Sequence, residues 1–450
     1  MINKRPRSLS VQVLSVQILS HALIFAVQNA GSLAERALLA ADTVAMATLG
    51  VSWSAFCVFQ AFSANMVNVC PLVVGRSTGD LDEDRARAAA GLALLLASCW
   101  GVVGVVLAGI AGVAALFAVG SARAAALFFA TQALALGPLL GTNALVGYFT
   151  GTMRIGLRLL AAVSVVPITV HLALAWLLTG LLSWSVAGAG LARLGAALVA
   201  IAATLAVARG ELGGIVAPAR RQPNWALLRA MFAEGSMLGL QQVVAGFIVF
   251  SLYLTAIRAG NIMSAALTLT HSGVYPLLFS FAWGSAQVVG AAAAQAIGRG
   301  DNRELVCVTR RCLGLSAILA FLLPWGVFAI CGQPVLAWLI GGSPSRVEIL
   351  IVSGRLMDLL AVFFVFDFAI NFLSALLRAA MEQAYLLKAT LVVAGGFGVL
   401  LLVLPSWADG TCLMGIFIAA QAIWAVLLFF RVAGRWPATA VKSRLAKSGI

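Results

Sequence analysis

Long apolar runs, separated by short polar segments rich in Gly, Arg and Asp, dominate the pattern of residues along the chain. Each run reaches the roughly 20 residues that a helix needs to cross the hydrocarbon core of a bilayer. About twelve such runs occur, and a segment rich in Gly, Pro and Arg at 209–224 divides them into two sets of six. The pattern therefore predicts an all-α polytopic membrane protein with twelve transmembrane helices.

The two halves of the chain resemble each other. Gly79-Asp80 after the second run matches Gly300-Asp301 after the eighth, and Asn143 in the fourth run matches Asn371 in the tenth. A repeat of six helices keeps its orientation, which is typical of secondary transporters with a site between the halves. We predict two pseudo-symmetric six-helix lobes, 1–208 and 225–432, a cytoplasmic inter-lobe linker, 209–224, and a basic cytoplasmic tail, 433–450.

Composition and charge place the chain in lipid. Hydrophobic residues make up 62% of the chain and charged residues 10%, against roughly 45–50% and about 25% in soluble domains. The net charge of +14 comes from Lys and Arg that lie between apolar runs, in the N-terminal segment, alternate loops and the C-terminal segment. The positive-inside rule then predicts a multi-pass protein of the inner (plasma) membrane with both termini in the cytoplasm. A nucleic-acid partner is not expected, because no face combines basic and aromatic residues.

Enzymatic chemistry is not expected. The chain has neither a Gly-rich phosphate loop of the Walker type nor the motifs H-E-x-x-H and G-x-S-x-G. Its seven cysteines form no C-x-x-C pair, so we predict neither a metal site nor a disulfide framework. No cofactor is predicted, and without a nucleotide motif any transport must draw on an ion gradient.

Asp367 is the acidic residue that lies deepest in a predicted helix. A charged group in lipid is costly unless it faces protein or water, so such residues mark ion pathways. Asn371 lies one turn away on the same face. We predict that Asp367 couples transport to a proton or cation, since a carboxyl shielded from water can exchange a proton near neutral pH. A purely structural hydrogen bond or ion pair is the alternative, and Asp358, able to pair with Arg355, is the second candidate.

Other polar or aromatic residues within the runs are candidates for lining a central substrate cavity. The first and seventh runs, which correspond in the two halves, carry amide pairs, and interhelical hydrogen bonding is their alternative role. A lone membrane histidine can titrate, and ring faces can bind an organic cation. The predicted cavity residues are Gln28, Asn29, Asn143, His171, Gln241, Gln242, Phe363 and Asn371.

The chain resembles the multidrug and toxic compound extrusion (MATE) transporters over nearly its whole length, and three motifs carry the resemblance. Asp367 and the segment Leu377 to Gln383, LRAAMEQ, are similar to the family's aspartate followed by a Leu-Arg-Gly-x-x-Asp/Lys-Thr ending. GRGD at 298–301 resembles its Gly-x-Gly-Asp after helix 8, and SVAGAGLA at 185–192 its Gly-x-x-Gly-x-Ala at the start of helix 6. The resemblance implies a secondary active antiporter for multidrug efflux, which functions as a monomer and exports small organic compounds or toxins.

Acidic residues typical of that family are missing at other positions. Asn29 or Ala30 stands where the family has an aspartate in helix 1, Gln242 or Ala245 replaces a glutamate of one branch, and Ala175 an aspartate of another. Because a dehydrated sodium ion needs several oxygen ligands, these losses favour protons over sodium and weaken the case for strongly cationic substrates. A flippase for lipid-linked oligosaccharides, a major-facilitator transporter and a non-transporting scaffold remain as alternatives.

Overall fold

A computed structural model describes residues 9–39, 42–221, 224–340, 346–403 and 410–435. Within these ranges the secondary structure is helical, with no strand. The described residues contain twelve helices that are long and apolar enough to cross a membrane. This confirms the predicted fold class. These twelve helices are α1 Val11–Leu39, α2 Thr43–Gly79, α3 Glu83–Phe117, α4 Gly120–Gly151, α5 Leu157–Leu181, α6 Ser185–Ala217, α7 Trp225–Arg258, α8 Asn261–Arg299, α9 Asn302–Leu339, α10 Val347–Ala379, α11 Gln383–Leu400 and α12 Thr411–Gly434.

Four helices are irregular next to a proline. In α2 the α-helical pattern is interrupted at 68–69, directly before Pro71. In α5, α8 and α9 a π-helical turn precedes Pro167, Pro276 and Pro324. Proline supplies no N–H group and its ring clashes with the preceding turn, so the widened turn accommodates it. The turn in α8, 270–274, carries residues of the site described below.

The segment 209–221 of the predicted linker is helical. The helix that contains α6 runs from Ser185 to Arg221 without interruption. Its glycines each lower helix propensity by only about 1 kcal/mol, and tertiary contacts outweigh that loss. Ile215 is fully buried, and Glu211 pairs with Arg154 of the turn after α4 at 2.6 Å. Gln222 and Pro223 of the predicted linker, and 436–450 of the predicted tail, lie outside the described residues.

Corresponding turns in the two lobes have the same backbone conformation. The turns after α2 and α8 contain a residue with positive φ, Leu81 at 61° and Gly300 at 72°. The turns after α4 and α10 do so as well, with Met153 at 54° and Met381 at 63°. Positive φ is uncommon for residues other than glycine. Leu81 and Gly300 each directly precede the aspartate that caps the next helix, so the turns correspond two residues away from the Gly-Asp match found in the sequence, and their recurrence supports the six-helix repeat.

The lobes meet along α1 and α2 of the first and α7 and α8 of the second. At the end of the bundle where α1 begins, α2 and α8 approach so closely that only glycine fits. A Cβ atom on Gly79 would overlap the carbonyl oxygen of Gln295, and one on Gly298 would overlap the carbonyl oxygen of Arg76. This glycine contact therefore brings the two helices, and with them the two lobes, into direct backbone contact at that end.

Alanine at Gly79 or Gly298 should therefore destabilise the protein. We expect the free energy of unfolding to fall by about 1–3 kcal/mol, because the added methyl group must push two backbones apart. Thermal unfolding of the purified protein in detergent measures the change. Gly396→Ala is the matched control, since nothing lies within 4 Å of its Cβ position; alanine there should stabilise the helix by up to about 1 kcal/mol. Equal effects at all three positions would contradict the glycine contact.

Candidate functional site

A cavity of about 330 Å³ lies between α2 of the first lobe and α7, α8, α10 and α12 of the second. Its volume falls within the range of small-molecule binding sites, roughly 300–1,000 Å³. Rings form much of its wall: Trp53, Tyr253, His271, Tyr275, Phe279, Trp283, Phe363, Phe417 and Trp424. The arrangement suits a compact organic compound with an apolar body.

One face of α10 supplies the polar part of this wall. Asp367, Asn371, Ser374 and Arg378 all line the cavity. They are spaced by four, three and four residues, which places them on one stripe of an α-helix. The same periodicity adds Phe363 one turn before Asp367. The helix therefore presents an acid, an amide, a hydroxyl and a guanidinium to the cavity in that order.

Asp367 is held at the cavity wall by two hydrogen bonds from side chains. The hydroxyl of Tyr275 in α8 donates to its Oδ2 at 2.5 Å. The amide of Asn371 donates to its Oδ1 at 3.2 Å and to its backbone carbonyl at 2.8 Å. Both carboxylate oxygens thus have a donor within the protein while the group still faces the cavity. Such donors stabilise the ionised carboxylate in apolar surroundings.

Tyr275 is oriented by the π-helical turn that precedes it. The ring of His271 in that turn stacks on the Tyr275 ring, with centroids 5.6 Å apart and planes within 9°. The hydroxyl of Tyr253 in α7 lies 3.4 Å from His271 Nδ1. Phe363 packs edge-on against Tyr275, with centroids 5.1 Å apart. The aromatic contacts fix the direction of the phenol and hence of its hydrogen bond to Asp367.

The structure brings half of the predicted site residues to the cavity. Asp367, Gln241, Gln242, Phe363 and Asn371 line it.

The other predicted residues lie elsewhere. Gln28 donates to the carbonyl of Val163 in α5 at 3.0 Å, and Asn29 donates to Ser280 Oγ in α8 at 2.7 Å. These two amides therefore make the interhelical bonds that were their alternative role. Asn143 lies in α4 and is not part of the cavity lining.

Asp358 is exposed and does not face the cavity. It lies nine residues before Asp367, and nine residues of an α-helix turn the side chain through about half a revolution. It forms no ion pair with Arg355. Asp358 and the cavity therefore lie on different faces of α10.

A buried ionic cluster centred on Glu35 in the first lobe was not predicted from the sequence. The Glu35 side chain is fully buried. Arg193 of α6 binds it through two nitrogens, Nε to Oε2 at 2.8 Å and NH2 to Oε1 at 2.9 Å. His171 Nε2 lies 3.1 Å from the same Oε2. The available signal was Arg193 itself, since an arginine inside a membrane helix requires a partner.

Two arginines near helix ends, neither of them predicted as a site residue, are buried. Arg36 is 1% exposed and donates to the Ser32 carbonyl at 2.7 Å and to Ser272 Oγ at 3.1 Å. Arg378 is 8% exposed and lines the cavity. Both lie within a turn or so of a helix end in the sequence, where long basic side chains usually reach water. Only the packing of neighbouring helices shows that these two point inwards.

No protein-family model matches the chain, and no curated protein matches it closely in sequence.

Solved structures share its fold. The eukaryotic MATE transporter AtDTX14 is 17% identical with a TM-score of 0.77, covering 97% of this chain and 98% of its own. A MOP-superfamily transporter from Pyrococcus furiosus, described as having a binding pocket of reverse polarity, is 19% identical with a TM-score of 0.76, at 95% and 98% coverage. An outward-facing multidrug resistance MATE transporter is 19% identical with a TM-score of 0.74, at 96% and 98% coverage. The chain therefore has the fold of the MATE transporters, as the motifs implied.

Proposed function

We propose that this protein is a secondary active transporter of the MOP superfamily, which exports small, largely apolar organic compounds in exchange for protons. The similar solved structures are of MATE and MOP-superfamily transporters, and twelve spans in two lobes suit alternating access. In this proposal the lobes rock against each other along the contacts of α1 with α8 and α2 with α7. The glycine contact between α2 and α8 is the closed gate at one end.

The observation that carries the proposal is the position of Asp367. It is the carboxylate that faces the cavity among the described lining residues, and it lies in the middle part of a membrane-spanning helix. Ionisable groups at such depth are costly and mark proton or ion pathways. If Asp367 exchanges a proton with water in the cavity, its protonation state and the binding of substrate in the cavity become coupled.

The hydrogen bonds of Asp367 suggest how proton and substrate exclude one another. As long as the carboxylate is ionised, Tyr275 and Asn371 both donate to it. A proton on either oxygen replaces one of these donors, which frees a phenol or an amide to turn into the cavity. The rearranged wall would then no longer fit the substrate, and this is the competition that antiport requires.

Protons suit this site better than sodium. Sodium requires several oxygen ligands close together, whereas both oxygens of Asp367 already accept from Tyr275 and Asn371. We further propose that the protein resides in the inner (plasma) membrane with both termini in the cytoplasm and that a monomer suffices. The major-facilitator alternative is set aside because the fold is that of MATE transporters.

Transport assays in proteoliposomes test the proposal. Purified protein is reconstituted, and uptake of a fluorescent organic compound is followed under an imposed pH gradient without sodium, then under a sodium gradient at equal pH. We expect uptake with the pH gradient only, and none in empty liposomes. Uptake driven by sodium alone would overturn proton coupling, and equal uptake without either gradient would overturn secondary active transport.

A further inference from the structure

Arg378 is a buried cation in the cavity wall, and among the described residues no carboxylate lies within ion-pair distance of it. Its side chain is 8% exposed, and no ion pair or hydrogen bond joins its guanidinium to any residue that the structure describes. Its one marked contact is with the ring of Trp283, 5.4 Å from the guanidinium carbon. Other buried arginines differ: Arg193 has the carboxylate of Glu35, and Arg36 has two oxygen acceptors.

Further polar atoms on the same wall are also buried without a partner. The Oγ of Ser374, the Nε1 of Trp424 and the amide of Gln241 make no hydrogen bond in the described part of the chain. All three side chains line the cavity, as Arg378 does. Buried polar atoms normally have partners, and each orphan requires an explanation. Other unpartnered polar atoms lie elsewhere in the described residues, but these surround one cavity, where a bound ligand would supply hydrogen-bond partners.

Resting on the proposed function, we infer that the transported compound carries an anionic group, a carboxylate or phosphate, that binds Arg378. Guanidinium groups bind such planar or tetrahedral oxyanions with paired hydrogen bonds. The hydroxyl of Ser374 and the indole N–H of Trp424 are further donors that the anion or its neighbouring groups can use. The rest of the compound is apolar or aromatic and packs against Trp283 and Phe279.

The two charged groups of the wall lie far enough apart to act separately. Asp367 and Arg378 are eleven residues apart on α10, about 16 Å along the helix axis. An anion at Arg378 therefore leaves the hydrogen bonds of Asp367 intact, and the body of the compound reaches towards the acid. The anion is a free organic acid and not a lipid-linked phosphate, because the cavity of about 330 Å³ suits a small molecule.

Three naphthalene probes of matched shape test this inference by binding alone. 1-Naphthaleneacetate is an anion, 1-naphthaleneacetamide is neutral and 1-naphthylethylamine is a cation. Each is titrated into the purified full-length protein in detergent at pH 7, and quenching of tryptophan fluorescence gives Kd. We expect the anion to bind at least about tenfold more tightly than the amide or the amine, since a charge-assisted hydrogen bond typically raises the affinity by more than about tenfold.

Variants of Arg378 make the assignment specific. In Arg378→Gln the Kd values of the anion and the amide should differ by no more than twofold. Arg378→Lys should keep part of the preference for the anion. Arg355→Gln, at an exposed position on the same helix, should keep all of it. Thermal unfolding checks that each variant is folded. Removing an unpaired buried charge should leave stability unchanged or raised, whereas a marked loss of stability in Arg378→Gln would assign Arg378 a structural role and overturn the inference.

The other outcomes are equally distinct. Equal binding of all three probes, or an anion preference that survives in Arg378→Gln, would overturn the inference. If a polyprenyl phosphate binds in a manner that depends on Arg378 and naphthaleneacetate does not bind, the ligand is a lipid phosphate and the inference of a free organic acid is overturned. The assay uses no ion gradient, so failure of proton-driven transport with anion binding intact would overturn only the coupling proposed above.

Discussion

Asp367→Asn should abolish proton-driven transport while leaving the protein folded and the cavity intact. Asparagine has the shape of aspartate, so its carbonyl oxygen can still accept a hydrogen bond from Tyr275 or Asn371. It cannot exchange a proton, however, and the proposed coupling depends on that exchange. We expect the pH-gradient-dependent rate in proteoliposomes to fall by about 100-fold or more, a typical contribution of a positioned proton-transfer group.

Asp358→Asn is the matched control for this prediction, because Asp358 lies on the same helix but is exposed. Its rate should stay within twofold of the unmodified protein. If Asp367→Asn transports as fast as the control under the same gradient, Asp367 is not the coupling group. A third variant, Tyr275→Phe, removes the donor to Oδ2 and should slow transport less than Asp367→Asn does, since the carboxyl remains.

Glu35→Gln should strongly destabilise the protein, because it leaves Arg193 buried without its counter-charge. The pair is fully desolvated, with Glu35 at 0% and Arg193 at 8% side-chain exposure. Removing one partner of a buried ion pair typically lowers the free energy of unfolding by about 3–5 kcal/mol. Thermal unfolding in detergent, together with the yield of monodisperse protein, measures the effect.

The double variant Glu35→Gln, Arg193→Gln separates charge from packing. Two neutral amides can bond to each other, so much of the lost stability should return relative to Glu35→Gln. Glu211→Gln is the exposed control, since its pair with Arg154 is 28% and 56% exposed; surface pairs contribute about 0–1 kcal/mol. A loss in Glu35→Gln no larger than in Glu211→Gln would show that the cluster does not stabilise the first lobe.

The ionic cluster also supports one wall of the cavity. The guanidinium of Arg193 lies 4.2 Å from the centroid of the Trp53 ring, and Trp53 lines the cavity. Through this contact, the cluster of Glu35, Arg193 and His171 positions a ring of the first lobe in the wall of a cavity that is otherwise lined mainly by helices of the second lobe. Loss of the cluster should therefore also weaken the binding of aromatic compounds through a displaced Trp53.

Prediction from the sequence succeeded for features that lie within a single helix. The apolar runs gave the twelve spans, and the depth of Asp367 and its neighbour Asn371 on α10 singled out the polar face of that helix. The same spacing of four, three and four residues extends to Ser374 and Arg378. Arg378 was not predicted as a cavity residue, because a basic side chain near a helix end usually reaches water and the direction of a long side chain is not encoded in spacing.

Prediction failed where the partner lies on another helix. Glu35 and Arg193 are 158 positions apart, and Tyr275 and Asp367 are 92 apart, so no local pattern relates them. The helix through 209–221 was not predicted for a similar reason, because the contacts of Glu211 and Ile215 that hold it come from other segments.

The sequence by itself determined that the chain is a membrane protein, the number of its spans, the six-helix repeat and the place of Asp367 within a span. These follow from the length and polarity of single segments, since lipid demands that each span satisfy its own backbone hydrogen bonds. The tertiary structure alone decided which polar groups meet: Tyr275 with Asp367, Arg193 with Glu35, and Arg378 with a cavity in which no carboxylate pairs with it. Those contacts depend on how helices pack, and one-dimensional spacing carries no information about the face that a distant helix presents.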